Sequence, residues 1–315
     1  SKAFEIFKNI SKIQPENGRI HLTLANYYRD QQQNEKSYKE LKLAFKSLDL
    51  DIDTKIRVVA SYFQLFKLDS LMVLQALELT EIIVSLYPEE AKVYALYADL
   101  LYANNNIIEA KRNYLLFIEK DKTKIEVWRQ ILFINAEEND FSSMESISSE
   151  AILYFPTDPY IYYFNGISKK RFKKYEEAIF ALETGLDFVM DNNLLLIEFY
   201  SSLADCYHAI KNHNVSDSIY EKVIKIDPEN AIVLNNYSYY LSLRKKKLEK
   251  AKVMSKKSND IEPDNGTYQD TYAWILYQNK EYNEAKEWII KALKNGSANS
   301  PVVNEHYGDI LYKLG

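Results

Sequence analysis

The chain contains few of the residues that interrupt helices and few of those that build reactive centres. Among its 315 residues are seven glycines, seven prolines, four histidines and one cysteine. Because Leu, Ile, Lys, Glu, Ala and Tyr are abundant instead, the composition predicts mostly helix with short connections and no strands. The single cysteine, Cys206, excludes an intramolecular disulfide and a cysteine-rich metal site, and it is compatible with either redox compartment.

The chain also lacks an excess of positive charge and a long apolar run. Its formal net charge is −5 and its pI is about 5.6, so it does not show the basic footprint of proteins that bind nucleic acid. No apolar stretch approaches the roughly 18 residues that cross a bilayer, and no basic start followed by an apolar run reads as a signal peptide. We therefore expect no nucleic-acid partner and no direct membrane insertion of this segment.

Motifs for chemistry are missing as well. The glycines do not form a phosphate-binding loop, and the histidines show neither a His-x-x-x-His pair nor a His-Glu-x-x-His motif. Cys206 and His208 lie two residues apart on a predicted helix, where side chains do not face each other, so a cysteine nucleophile with an oriented base is not expected. The sequence predicts no catalytic residue, no metal site, no cofactor and no enzymatic activity.

What the sequence does have is a period. Five of the prolines lie near multiples of a unit of 34 to 36 residues: Pro15, Pro88, Pro156, Pro228 and Pro263. Because proline cannot continue a helix, each marks a helix end at the same phase of the unit. A period of this length is typical of a solenoid.

Residues 91–124, 125–158 and 159–192 align without a gap, and their apolar and small positions coincide. Position 4 of the unit is aromatic, and positions 8 and 20 are often small, which lets two antiparallel helices approach closely. The turns between the paired helices are rich in Asn and Lys, which tolerate turn geometry. Small residues at positions 8 and 20 include Ala98, Gly166, Ala204, Ala273, Gly308, Ala110, Ala178 and Ala285.

This pattern resembles the tetratricopeptide repeat (TPR), and the stretch Ala273-Trp274-Ile275-Leu276-Tyr277 through Tyr282 and Ala285 matches it best. The resemblance implies an all-α fold, a right-handed α-solenoid of antiparallel helix pairs forming a TPR superhelix. One array would cover 1–315: the second helix of a truncated repeat in 1–17, repeats from about 18, 53, 91, 125, 159, 197, 231 and 266, and the first helix of a truncated repeat in 301–315. We therefore expect a fragment cut from a longer protein.

Two repeats are longer than the others. The second carries about four extra residues between its helices, from Lys67 to Val73, and the sixth carries four before its first helix, from Asn193 to Leu196. Longer helices or a changed superhelical step are expected at these places.

In TPR arrays, as the resemblance implies, positions 2, 5, 9, 12 and 13 of each first helix line a concave groove that binds a peptide or a partner's helix. Here an acidic row and aromatic residues mark the C-terminal part, and basic residues mark the middle. Such a groove is complementary to a partner that offers apolar side chains and Lys or Arg to the C-terminal half. The predicted groove residues are Asp99, Tyr102, Arg129, Tyr160, Tyr163, Lys170, Asp205, Asn235, Asn236, Tyr239, Asp270, Trp274, Tyr277, Asp309 and Tyr312.

The resulting hypothesis is a non-catalytic scaffold or adaptor that binds a protein or peptide partner in the groove. The alternative is a regulatory or targeting arm of a larger enzyme whose catalytic domain lies elsewhere. The segment from Leu234 to Asp309 looks similar to long exported TPR proteins of Gram-negative bacteria, which favours a periplasmic or outer-membrane-anchored location through a missing N-terminus over a cytoplasmic one. The oligomeric state and the partner's identity stay open.

Overall fold

The structure, a computed structural model, describes residues 2–62 and 70–315, with side chains described for 4–61 and 71–315. Regular structure in these ranges is helical. The helices are α1 Lys2–Ile13, α2 Gly18–Asp30, α3 Asn34–Lys46, α4 Ile52–Tyr62, α5 Ser70–Leu86, α6 Ala91–Ala103, α7 Ile107–Lys120, α8 Ile125–Glu137, α9 Phe141–Tyr154, α10 Pro159–Arg171, α11 Tyr175–Leu186, α12 Asn193–Ala209, α13 His213–Ile226, α14 Ala231–Leu243, α15 Leu248–Ile261, α16 Gly266–Gln278, α17 Tyr282–Ala292 and α18 Pro301–Leu314, with a π-helical turn at Leu293–Ser297.

The helices form two compact units, Ser1–Pro156 and Thr157–Gly315. In the first unit α1 packs on α2, and the pairs α2/α3, α4/α5, α6/α7 and α8/α9 follow. In the second unit the pairs are α10/α11, α12/α13, α14/α15 and α16/α17, and α18 packs on α17. The second helix of most pairs also contacts the first helix of the next pair within its unit, and α3 contacts α5, so the pairs stack one on another as in a solenoid. The predicted all-α class is confirmed.

Polar side chains fix where many of the first helices begin. The side-chain oxygens of Asn17, Asp158, Asn230, Asn265 and Ser300 each accept a hydrogen bond from a backbone N–H in the first turn of the helix that follows. In the sixth repeat the cap is Asn192, so α12 begins at Asn193 and is 17 residues long. The extra residues predicted before this helix therefore lengthen it by about one turn. The insertion predicted from Lys67 begins outside the described residues.

The turns inside the helix pairs share one backbone geometry. Each described turn has a non-glycine residue with positive φ: Gln32, Asn105, Asn139, Lys173, Lys211, Lys245 and Lys280. In the sixth repeat, for example, Asn212 N–H donates to the carbonyl of Tyr207 at 2.8 Å across Lys211. This bond spans five residues, as in the Schellman motif that commonly ends helices. The described turns thus close the first helices that precede them in the same way.

The paired helices meet at small residues. Ala98 and Ala110 are fully buried in one pair, and so are Ala273 and Ala285 in another. Where serine takes the position in the second helix, its hydroxyl donates across the pair. Ser216 Oγ lies 2.8 Å from the carbonyl oxygen of Ala204. This bond satisfies a hydroxyl that would otherwise be buried without a partner.

Gly185, in the second unit, has no space for a larger side chain. A Cβ added to Gly185 would lie 2.4 Å from Cβ of Tyr162 and 2.9 Å from the ring of Phe199, whereas one added to Gly308 would meet no described atom within 4 Å. Gly185 lies in the last turn of α11 and faces both the preceding and the following first helix.

We predict that Gly185→Ala and Gly308→Ala change stability in opposite directions. Gly185→Ala forces Tyr162 or Phe199 to move and should destabilise the protein by about 1–3 kcal/mol. Gly308→Ala replaces glycine in a helix interior with open space around it and should stabilise by about 0.5–1 kcal/mol. Denaturant unfolding followed by circular dichroism measures both. Equal effects of the two substitutions would contradict the packing at Gly185.

Candidate functional site

A pocket of about 430 Å³ lies between three first helices of the second unit, α14, α16 and α18. Asn235, Asn236 and Tyr239 line it from α14, and Asp270 lines it from α16. The remaining wall comes from Thr267, Thr271 and the segment between Gly296 and Val303. The structure therefore brings four of the predicted groove residues to one pocket, which we call the α14–α18 pocket.

Asp270 is held by a histidine of the next repeat. His306 Nδ1 lies 2.8 Å from Asp270 Oδ1, and the two residues are only 5% and 7% exposed. The His306 ring stacks on Trp274 at 4.0 Å between centroids, and Trp274 in turn stacks on Tyr277 at 4.8 Å. The Trp274 indole is thus held between neighbouring repeats by two ring contacts. Its buried Nε1–H has no acceptor among the described residues.

His306 is not among the groove residues predicted from the sequence, because no histidine motif close in sequence marks it. His306 lies 36 residues after Asp270, about one repeat, so the two meet only when neighbouring first helices pack. A search for complementary polar residues one repeat apart would have found the pair.

Asp205 and Lys170 also meet across neighbouring repeats. Lys170 Nζ lies 3.1 Å from Asp205 Oδ2, and both side chains are partly exposed. Asp205 Oδ1 accepts hydrogen bonds from the hydroxyls of Tyr220 and, at 3.3 Å, Tyr240. The predicted basic and acidic groove residues thus neutralise each other at this point, and the exposed pair contributes little to stability by itself.

The same tyrosine contact occurs in the first unit. Tyr114 donates to Asp99 Oδ1 at 2.6 Å, and the two residues are 15 positions apart, as are Tyr220 and Asp205. Burial, followed by the Asp99 carboxylate, holds the pKa of Tyr114 well above its usual value, so the phenol remains the donor. Two of the predicted acidic groove residues are therefore bound to the second helix of their own repeat.

The other predicted groove residues occupy partly or fully exposed positions. Tyr102 on α6 and Arg129 on α8 are half-buried. Tyr160 accepts a hydrogen bond from Asn192 Nδ2 at 3.2 Å, and Tyr163 donates to Glu198 at 2.8 Å. On α18 the structure leaves Asp309 half-buried and Tyr312 82% exposed.

A second histidine, His208, is half-buried in the last turn of α12. The His208 ring stacks on the Tyr240 ring with 3.7 Å between their centroids. The centroid of the His213 ring lies 5.0 Å from that of His208. Nearby, Arg244 binds both carboxylate oxygens of Asp217, at 2.6 and 3.3 Å. Burial, with a smaller contribution from His213 and Arg244, lowers the pKa of His208 to about 4.

We predict that acid destabilises the protein through His208. Its pKa is about 4 when folded and about 6.5 when unfolded, so between these values the unfolded chain binds more protons. The stabilising contribution is complete above pH 6.5 and is lost as pH falls towards 4. His208→Phe keeps a ring against Tyr240 but cannot titrate. Between pH 7.5 and 4 the variant should lose about 1–2 kcal/mol less stability than wild type. The measurement is the melting temperature of each protein across this pH range. Parallel curves would contradict the assignment.

The described residues contain no cluster of three or more His, Cys, Asp or Glu side chains that could hold a metal ion. Cys206 is fully buried in the core of the second unit, and burial raises its pKa to about 12. Its thiol therefore stays protonated and out of reach. In the same described part of the chain, no helix has the length and apolar character required to cross a membrane.

Comparison with known proteins agrees with this architecture. The tetratricopeptide repeat family model matches residues 197–230. The type IV pilus assembly protein PilF of Pseudomonas aeruginosa is 29% identical over 115 residues, which are 36% of this chain and 45% of that protein. The match thus spans less than half the length of this curated relative.

Solved structures share the fold at low sequence identity. A tetratricopeptide repeat protein from Parabacteroides merdae aligns with a TM-score of 0.58 at 12% identity, over 82% of this chain and 99% of that one. The C-terminal part of a TPR repeat-containing protein from Cytophaga hutchinsonii aligns with a TM-score of 0.54 at 16% identity, over 79% of this chain and 98% of that one. A chain of the APC/C hetero-tetramer Cut9–Hcn1 aligns with a TM-score of 0.58 at 12% identity, over 98% of this chain and 59% of that one. Residues 197–230 thus match the tetratricopeptide repeat, and the chain shares the fold of these TPR structures.

Proposed function

We propose that the chain is a non-catalytic scaffold whose first helices bind a segment of a partner protein. The observation that carries this proposal is the α14–α18 pocket, because it is built by three successive first helices and lies between repeats. Polar side chains line it beside the half-exposed aromatic Tyr239. Pockets with a few convergent polar groups and aromatic walls are typical binding sites.

Exposed side chains extend the proposed site along α18. Tyr312 is 82% exposed, and Glu305 and Asp309 make no hydrogen bond or ion pair with the described residues. Tyrosine suits an interface because it buries a large area at a small cost in side-chain entropy. The relative that shares 115 residues is a type IV pilus assembly protein, and a role in assembly fits a chain that holds other proteins.

Site-specific photo-crosslinking tests the position of the site. We expect benzoylphenylalanine at Thr267 or Tyr312, on the first helices, to form adducts with a discrete partner in cells that produce the protein. Matched controls place the same residue on second helices, at Phe180 and Val253, which are 72% and 70% exposed.

Adducts should form at the first-helix positions and be absent or at least about tenfold weaker at the controls, since cross-linking requires close contact. Adducts that form equally at all four positions, or only at Phe180 and Val253, would contradict the proposed binding surface.

A further inference from the structure

The first helices around the α14–α18 pocket carry an unusual balance of charge. α14 has no charged residue, and α16 has only Asp270. α18 has Glu305 and Asp309, with Lys313 in its last turn. Because Glu305 and Asp309 are not paired with any described side chain, their negative charge remains available to a ligand.

The carboxylates act on the pocket itself. Burial, and then the charges of Asp270 and Glu305, raise the pKa of Tyr239, which lines the pocket. Asp270 and Tyr239 line the same pocket, and Glu305 lies on α18, the helix that provides Val302 and Val303 to its wall. The residues of the turn that complete the wall, Gly296, Ser297 and Ser300, are uncharged.

The pocket also contains an acceptor that has no donor. Asn235 is 4% exposed and donates through Nδ2 to Asn236 at 3.2 Å, but its Oδ1 is buried without a partner among the described residues. A buried acceptor left unsatisfied destabilises the protein, and a ligand that donates to it removes that penalty. Asp270 uses Oδ1 to bind His306, and its Oδ2 accepts no hydrogen bond from the described part of the chain.

A ligand that fits this pocket must bring several N–H donors and positive charge. A lysine ammonium has three donors and an arginine guanidinium has five, and neither has an acceptor that would oppose Asn235 Oδ1 or Asp270. A neutral peptide N–H would satisfy one acceptor but would leave the field of Asp270, Glu305 and Asp309 uncompensated.

On this basis we propose that the α14–α18 pocket binds a Lys or Arg side chain of the partner segment. The proposal rests on the proposed function, because it assigns the chemistry of one subsite of the same surface. Asn235 and Asp270 accept its N–H donors, while Glu305 and Asp309 provide longer-range attraction. Trp274 does not line the pocket, and its ring stacks with Tyr277 and His306. Instead it positions His306, and through it Asp270.

The test uses a random twelve-residue peptide library displayed on phage and selected on the immobilised protein. Wild type should enrich peptides with Lys or Arg at a fixed place relative to an apolar residue. Glu305→Lys/Asp309→Lys reverses the charge at positions that bind no described side chain, and should lower the affinity of a selected peptide by at least about tenfold. The matched control Glu284→Lys/Glu287→Lys changes the same charge on exposed positions of α17 and should leave affinity unchanged.

Two further measurements separate charge from hydrogen bonding. Replacing the enriched Lys or Arg of a selected peptide by norleucine should cost at least tenfold in affinity. Asn235→Leu removes the unsatisfied acceptor at similar volume and should weaken binding of the basic peptide several-fold, with a melting curve to check that the variant is folded.

The outcomes distinguish this inference from the proposed function. Selected peptides without Lys or Arg that still lose binding when Tyr239 is replaced by Ala would overturn the cationic subsite and leave the binding surface standing. Peptides that bind wild type, the α18 charge variant and Tyr239→Ala equally would overturn both, and so would a selection that enriches no peptide.

Discussion

Close approach of the two helices within each pair is the constraint on which the rest of the structure depends. Buried alanines such as Ala98 and Ala110, or glycine at Gly166 and Gly185, leave room for the neighbouring backbone. With the pair fixed, large residues such as Trp128, Phe199 and Tyr237 fill the space between pairs and are fully buried. The first helices are thereby held side by side, and only then can residues from α14, α16 and α18 border one pocket.

The period of the sequence predicted much of this architecture. Helices end just before the periodic prolines, and the small residues lie where the paired helices meet, because both patterns are local consequences of helix geometry. The Asn- and Lys-rich stretches likewise predicted the turns, since these residues end a helix in the left-handed conformation at modest cost. All these features depend on one repeat at a time, so one sequence is sufficient to find them.

The details of the candidate site depend on two repeats at a time and were harder to predict. Lys170 and Asp205 were predicted as separate basic and acidic groove residues, but they lie 35 positions apart and form an ion pair. Asp270 was expected to face a ligand directly, whereas His306 binds one of its oxygens. Trp274 was predicted as a groove residue, and in the structure its ring stacks with Tyr277 and His306. The side chains of the neighbouring helix decide which acidic residues remain unpaired. A residue's position in its own repeat does not specify those side chains.

The turns within pairs and the connections between pairs differ in a way that matters for how such a chain can change. Within a described pair the turn has three residues in six cases and four between α14 and α15, always with a left-handed residue at its centre or end. Connections between pairs vary more: one gains a helical turn at Asn193, and another contains the π-helical turn before α18. Turn length thus varies less within the described pairs than between pairs, and a fluorescent label or an affinity tag inserted after Met190, which is 83% exposed, would leave the Asn192 cap of α12 in place.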